Sequence, residues 1–456
     1  MAEEILVVGG GFAGLAAGVA LAEAGRRVRL LEQSQHWGGR ARSFRDAVTG
    51  MALDNGQHLL LGCYHRTLRF LDTLGTLERI RFQPQMTLHF MERGGCLSVL
   101  RCRNLPAPWH LFAGVLASDA FSWREKREVL RLGRSLQKSA GISLDRAEPP
   151  LEKMTVGEWL QCLGQSDRVQ RNFWDLLCIA AMNEDPEVAS ADIFARVLSR
   201  ALLQSPADSR IGIPAAGLSD CYAETAASFL FAHGGVVELG KSVAGLRVKG
   251  DQVTGVYLAD GKILEATKLI CAVPWHGLLR WLPPSLAAHP FFARIAKLKP
   301  APIVSVYCWF DRPITHLDFV GLRGTTFQWL FNKNKILAES ALGASDPKLF
   351  LVSLVLSGAH AHLQRTREDL AGTALRELGE VFPEARAAHL VRSLVIKEPW
   401  ATFSPAPGVE ALRPACRTPL QGFYLAGDWT ATGLPATIEG AVESGYTAAD
   451  AVLQEA

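Results

Sequence analysis

Ile5-Leu6-Val7-Val8-Gly9-Gly10-Gly11-Phe12-Ala13-Gly14 is the stretch on which the fold turns. Its first four residues are wholly apolar, the pattern of a strand buried on both faces, and the glycines that follow fall as Gly9-x-Gly11-x-x-Gly14. Gly9 permits a tight turn, Gly11 lets backbone approach a pyrophosphate, and Gly14 lets the next helix pack closely on the strand. That helix is expected from about Phe12 to Ala24, with the pyrophosphate at its positive end beside Phe12 and Ala13. Gly25 closes it, Arg27 to Leu31 forms a second strand, and Glu32 stands at the end of that strand, eighteen residues after Gly14. A carboxylate there accepts hydrogen bonds from the hydroxyls of an adenosine ribose and repels a 2′-phosphate, which favours NAD or FAD over NADP. A glycine-rich turn is common by itself; the order strand, turn, helix, strand, acid gives this one its weight.

Two further tracts use the same grammar. In Trp37-Gly38-Gly39-Arg40-Ala41-Arg42-Ser43, Gly39 allows a second backbone approach and Arg40 offers a cation to a diphosphate, although the tract also reads as a surface turn. Gly422-Phe423-Tyr424-Leu425-Ala426-Gly427-Asp428 is an apolar strand ending in a glycine and an acid, and Asp428 can accept from a sugar or ribityl hydroxyl. A helix with a small-residue face then starts at Thr437-Ile438.

Together the glycine fingerprint with Glu32, the GGRARS tract at 38–43 and the GDWTATGLPATIEGAVESG tract at 427–445 resemble the flavin amine oxidase and phytoene desaturase superfamily. Leu53-Asp54-Asn55-Gly56-Gln57-His58, Ala180-Ala181-Met182-Asn183 and Ala401-Thr402-Phe403-Ser404-Pro405 resemble its squalene-associated branch, the hydroxysqualene dehydroxylases. The likeness runs from residue 5 to about 450. It implies FAD as cofactor, with Gly9, Gly11 and Gly14 at the diphosphate, Glu32 at the ribose and Arg40 at the diphosphate from the other side. It also implies Gly56 against the isoalloxazine, Asp428 at the ribityl chain, Ile438 near the pyrimidine end and Val243 beside the adenine.

Cofactor tracts at both ends require a discontinuous domain. The expected architecture is α/β: a Rossmann-like, glutathione-reductase-type FAD-binding domain built from 1–85, 205–280 and 395–456, with an inserted α+β substrate domain. Of the two inserts, 86–204 is expected to be mainly helical and 281–394 to combine a sheet with helices. Thr155-x-x-Glu158 is a capping box, and helices are expected over Trp123 to Leu136, Asp167 to Met182 and Ser190 to Leu203. A helical pattern also runs from Ile213 to about His233, and apolar strands are expected at Ile303 to Phe310 and Leu349 to Leu356.

Of 456 residues, 48% are hydrophobic and 20% charged, a globular composition, and 48 Lys+Arg against 45 Asp+Glu leave +3, too little for a nucleic-acid partner. Nine cysteines without a CxxC pair read as reduced thiols, and the acidic start is unlike a secretory signal, so a cytoplasmic location is expected. Scattered histidines argue against a metal, no GxSxG elbow is present, and without a second GxGxxG reducing equivalents must come from a transient electron donor.

The branch resemblance implies reductive removal of the hydroxyl of a hydroxysqualene-like isoprenoid by hydride transfer from reduced flavin to an allylic cation, in squalene or hopanoid synthesis. Trp174, Trp309, Trp329, Trp400, Phe403 and Trp429 are candidates to face such a cation, with core filling as the alternative. His58, Tyr64 and Asn183 are the candidate catalytic donors, and Asp54 reads equally well as a sheet-end hydrogen-bonding group. Desaturation of a polyene, amine oxidation and a non-catalytic lipid-chaperone role remain alternatives. Residues 105–116, apolar with Trp109 and followed by Arg124, Lys126 and Arg127, are expected either as a monotopic contact with the inner face of the cell membrane or as a core helix. Association with upstream squalene-pathway enzymes would follow from the first.

Overall fold

The computed structural model describes residues 3–140, 150–337, 339–343 and 349–455. Five strands form a parallel sheet in the order Val236–Glu238, Arg27–Leu31, Glu4–Val8, Leu269–Cys271, Phe423–Leu425. Along the central strand, Ile5 and Val7 pack with the helices Phe12–Glu23, Leu218–Ala232 and Ile438–Gln454. Leu6 and Val8 turn to the opposite face, whose cluster includes Val243, Val253 and Val256 of an antiparallel three-stranded sheet. Both faces are covered, which is why the strand has no polar alternation.

Two glycines set the spacing of these layers. A Cβ on Gly14 would lie 1.9 Å from the Gly9 carbonyl oxygen, and one on Gly445 would lie 2.3 Å from the Ala13 oxygen. The first helix therefore lies tightly between its own strand and the last helix of the chain.

A second, seven-stranded sheet has the order Leu390–Phe403, Pro300–Phe310, Phe350–Ser357, Trp329–Asn332, Phe319–Arg323, Thr87–Glu92, Leu97–Arg101. Burial along Pro300–Phe310 separates by parity: Val304, Val306, Cys308 and Phe310 join the cluster under the helix Arg367–Val381, while Tyr307 and Trp309 join the one shared with the helical insert. The helices Trp109–Ala117, Trp123–Ala140, Val156–Cys162, Asp175–Met182 and Ala191–Leu202 complete this half. The Thr155 capping box is formed, with Glu158 N–H on Thr155 Oγ1 and Thr155 N–H on Glu158 Oε2.

The 86–204 insert is mainly helical, with one addition, and two expectations need correction. The 86–204 insert contributes a hairpin, Thr87–Glu92 with Leu97–Arg101, that extends the second sheet alongside Phe319–Arg323. Leu390–Phe403 is one strand paired along Pro300–Phe310, so it runs across the expected 394/395 boundary. Ile211–Pro214 is a strand between Leu60–Leu61 and Ile80–Phe82 rather than the start of a helix. The helix begins only at Leu218, after Gly217, because the backbone of Ile211–Pro214 is committed to pairing with Leu60–Leu61 and Ile80–Phe82.

Candidate functional site

One cavity of about 960 Å³ runs from the carboxyl ends of the parallel strands into the space between the second sheet and the helices. It lies at the upper end of the roughly 300–1,000 Å³ of single-ligand sites. Its two ends differ in chemistry.

At the first end lie Gly9, Gly11, Phe12, Ala13, Glu32, Gly39 and Val243. Gly11 caps the helix Phe12–Glu23 without a side-chain partner, and a Cβ built on it meets nothing nearer than 4.0 Å. The space over Gly11 thus belongs to the cavity, next to free helix amides. Glu32 is held by the N–H groups of Gly10 and Ser34, both at 2.8 Å, one on each oxygen. Each oxygen keeps a lone pair for a ligand hydroxyl. A phosphate cradle and a ribose acceptor are both present, so these residues fit a dinucleotide.

Arg40 and Asp428, expected on the diphosphate and the ribityl chain, bind each other: Nη2 lies 2.7 Å from Asp428 Oδ1, and Nη1 lies 2.6 Å from the Ala401 oxygen. Burial opposes the Arg40 charge, but the Asp428 carboxylate outweighs it and holds the guanidinium pKa above its ordinary value. Both residues still line the cavity. Thr437 Oγ1 accepts from Gly440 N–H and caps the helix that begins at Ile438, and Gly427 N–H donates to Ser444 Oγ.

Farther in, Gly56, His58, Tyr64 and Asn183 line the same cavity. Neither the His58 ring nor the Tyr64 hydroxyl has a hydrogen-bond partner among the described residues. Burial pulls the His58 pKa below its ordinary value; the Asp54 carboxylate opposes this, and the Lys333 and Arg40 charges add to the fall. The imidazole is therefore neutral near pH 7, with one N–H. Burial raises the Tyr64 pKa and keeps its proton in place. Asn183 differs from expectation. It ends the helix Asp175–Met182 in the left-handed region, donates both amide protons, to Ala301 O and Thr402 Oγ1, and accepts from Gly358 N–H. It fixes the loop and has no proton left for a ligand.

The inner end is apolar, with Leu111, Phe112, Val115, Leu132, Phe173 and Trp174 on the helical side. A π-helical turn at Gln170–Trp174 brings the adjacent Phe173 and Trp174 both to the cavity. Of the six candidate aromatics, Trp174, Trp329 and Trp429 line it. Trp309, which donates to Met51 Sδ, and Phe403 are buried behind the wall, and Trp400, on the edge strand, is 42% exposed. The N–H groups of Trp174 and Trp429 have partners, Gln165 Oε1 and the Val273 oxygen; that of Trp329 is buried with none among the described residues.

The helix Trp109–Ala117 has two faces. Leu111, Phe112 and Val115 look into the cavity, while Trp109 is 63% exposed beside exposed Leu105, Leu116 and Trp123. Lys126 Nζ lies 4.8 Å from the Trp123 ring centroid. No helix among the described residues is long and apolar enough to cross a membrane.

Sequence reasoning overlooked Lys333, which holds the 54–58 segment from behind through Asp54 and Gln57. A single lysine between two asparagines carries no motif by which it could have been found.

The family model described as flavin containing amine oxidoreductase matches residues 12–453. The chain is 30% identical to hydroxysqualene dehydroxylase of Rhodopseudomonas palustris over 99% of both chains. It is 27% identical to the chloroplastic/chromoplastic 15-cis-phytoene desaturase of an Oncidium hybrid cultivar over 99% of this chain and 78% of that one. Among solved structures, a triple mutant of putrescine oxidase superposes with a TM-score of 0.73 at 18% identity, over 100% of this chain and 99% of that one. An oxidoreductase from Methanosarcina mazei gives 0.72 at 17% identity, over 99% and 100%.

Proposed function

Because the chain belongs to the flavin-containing amine oxidoreductases, in the phytoene desaturase and hydroxysqualene dehydroxylase group, we propose that it converts a hydroxysqualene-like allylic alcohol into the corresponding hydrocarbon, squalene. The observation that carries this reading is the continuity of one cavity from a nucleotide cradle to an apolar end lined by Leu111, Phe112, Val115, Leu132, Phe173 and Trp174. Such a wall suits an isoprenoid chain.

FAD is the cofactor of this oxidoreductase, and in its reduced form it supplies the hydride. Gly9, Gly11, Phe12 and Ala13 would hold its diphosphate, Glu32 the ribose and Val243 the adenine side; Gly14, expected at the diphosphate, lies outside the cavity lining and instead lets the helix pack on its strand. Gly39, Arg40, Gly56, Gly427, Asp428, Thr437 and Ile438 would surround the remainder.

The chain's own part follows from the groups at the inner end. When the alcohol's C–O bond breaks, its oxygen leaves as water and needs one proton. Tyr64, which keeps its hydroxyl proton, is the proton-bearing group that would supply it, while neutral His58 would donate a hydrogen bond to the same oxygen. The unpartnered Trp329 N–H would hold the same oxygen in place. The ring faces of Trp174 and Trp429 would stabilise the developing cation by about 0.5–2 kcal/mol each in a cavity cleared of water.

A lipid substrate has to leave a bilayer. The helix Trp109–Ala117 separates the exposed apolar patch from the cavity by a single layer, which supports a monotopic contact at the headgroups of the inner membrane face. In this reading the protein is peripheral to that membrane, close to the enzymes that make its substrate, and takes electrons from a transient donor.

The test is anaerobic incubation of the chemically reduced holoenzyme with hydroxysqualene. Squalene in proportion to flavin reoxidised is expected. No squalene, together with a desaturated product from the oxidised enzyme and a carotenoid-like polyene, would replace this reading with the desaturase one.

A further inference from the structure

Lys333 is fully buried, does not line the cavity, and stands where the second sheet meets the cofactor-binding half, one residue beyond the strand Trp329–Asn332. Its ammonium lies 2.8 Å from Asp54 Oδ2 and 2.9 Å from Gln57 Oε1. Asp54 is held on its other oxygen by Ser43 Oγ at 2.7 Å and Leu218 N–H at 3.0 Å, and its main-chain oxygen accepts from Tyr307 OH at 2.6 Å. Between the two residues that Lys333 grips lie Asn55 and Gly56, and immediately after them His58. Gly56, Gln57 and His58 face the cavity, with His58 Nε2 3.9 Å from the point where a Cβ of Gly56 would lie.

A buried ion pair is weak evidence for stability, since well-packed apolar residues of the same volume often do as well or better. Its characteristic return is a fixed position. Here one cation from the inserted sheet draws on both ends of the four-residue segment Asp54–Gln57, which belongs to the cofactor-binding half. Ser43 and Leu218 hold Asp54 from that half, so Gln57 is the end whose place depends on Lys333.

We infer that Lys333 is a positioning residue which, through Gln57 and Asp54, sets the distance of the Gly56–His58 segment from the bound flavin. This rests on the reading that the segment faces the cofactor. Lys333 touches neither FAD nor substrate; its effect is transmitted by the segment.

The experiment compares four variants by FAD titration of the apoprotein, visible circular dichroism of bound flavin, and thermal midpoint. Gln57→Leu keeps the Lys333–Asp54 pair, so the midpoint should hold, while the flavin dichroism changes and the FAD dissociation constant rises about tenfold, the usual consequence of losing a hydrogen bond to a charged group. Lys333→Met strands the Asp54 charge and should lower the midpoint as well. Lys333→Met/Asp54→Asn removes that stranded charge, so it should regain the midpoint but neither the affinity nor the dichroism. If the double variant regains all three, or Gln57→Leu changes neither flavin readout, the pair is merely structural and the inference is overturned. Gly56→Leu separates the premise: if it leaves FAD binding intact, the segment does not face the cofactor and the inference falls with that reading. If it blocks FAD, the premise holds and the other variants decide the role of Lys333.

Discussion

Gly11→Ala should leave the apoprotein as stable as before and yet cost it FAD. The backbone at Gly11 has φ −85° and ψ −176°, extended values open to any residue, and the added methyl would meet no atom nearer than 4.0 Å, where Gly38 O and Gly39 Cα lie. Replacing glycine at a compatible position stabilises by about 0.4–1 kcal/mol through the unfolded chain. Alanine is a poorer helix cap than glycine by a similar amount. The two offset, and the apo thermal midpoint should stay within about 2 °C of the parent. The same methyl occupies the space over the helix amides where a diphosphate must come close. Forcing a methyl into a well-packed contact costs about 1–3 kcal/mol, which is a rise in the FAD dissociation constant of roughly 5- to 150-fold. Apoprotein would be titrated with FAD by fluorescence quenching, and its unfolding followed separately without cofactor. Gly14→Ala is the contrast, since its Cβ would lie 1.9 Å from a backbone oxygen and the apoprotein itself should be damaged. Unchanged FAD affinity in Gly11→Ala would refute the placement of the diphosphate, and a large loss of apo stability would refute the open space.

Other perturbations test other parts of the site. Glu32→Ala removes the ribose acceptor and orphans the buried Gly10 N–H, so FAD retention and stability should both fall, the latter by about 1–3 kcal/mol, as read by cofactor content and urea unfolding. His58 has a folded pKa below its ordinary 6.5, so the unfolded chain binds the proton first. Its contribution is complete above 6.5 and is lost as pH falls toward the folded value, by about 1.4 kcal/mol per pH unit at most, and His58→Gln should flatten that part of the stability profile. Trp329→Phe removes one N–H and keeps a ring; it should weaken binding of the alcohol substrate about tenfold and leave squalene binding unchanged, measured by perturbation of the oxidised flavin spectrum. Trp109→Ser/Trp123→Ser should abolish flotation with vesicles containing anionic lipid while leaving FAD content alone; full flotation would remove the membrane contact.

The first 32 residues could be read almost residue by residue, because glycine positions and apolar runs there answer to local geometry: a turn, a close approach, a strand covered on both faces. The last strand and helix share that property. What escaped was set by distant partners. The hairpin Thr87–Arg101 is made a sheet member by Phe319–Arg323, far along the chain, and nothing local announces the pairing. Asn183 looked like a free donor until Ala301, Thr402 and Gly358 were brought around it. Trp400 shares its aromatic character with Trp429, but an edge strand leaves one in solvent and a close packing site buries the other. Lys333 is the extreme case, a residue of unremarkable context whose environment is wholly tertiary.

The order of strands in the parallel sheet has a consequence for biogenesis. Its edge strand, Phe423–Leu425, and the helix Ile438–Gln454 that covers the first helix leave the ribosome long after the strand Glu4–Val8 and the helix Phe12–Glu23 that they complete. Until they emerge, the nascent amino-terminal strands have an open edge and an uncovered apolar helix, the kind of surface on which partly folded chains aggregate. The cavity that Gly9 and Gly11 share with Gly427, Asp428 and Ile438 is therefore complete only once both stretches have been made and brought together.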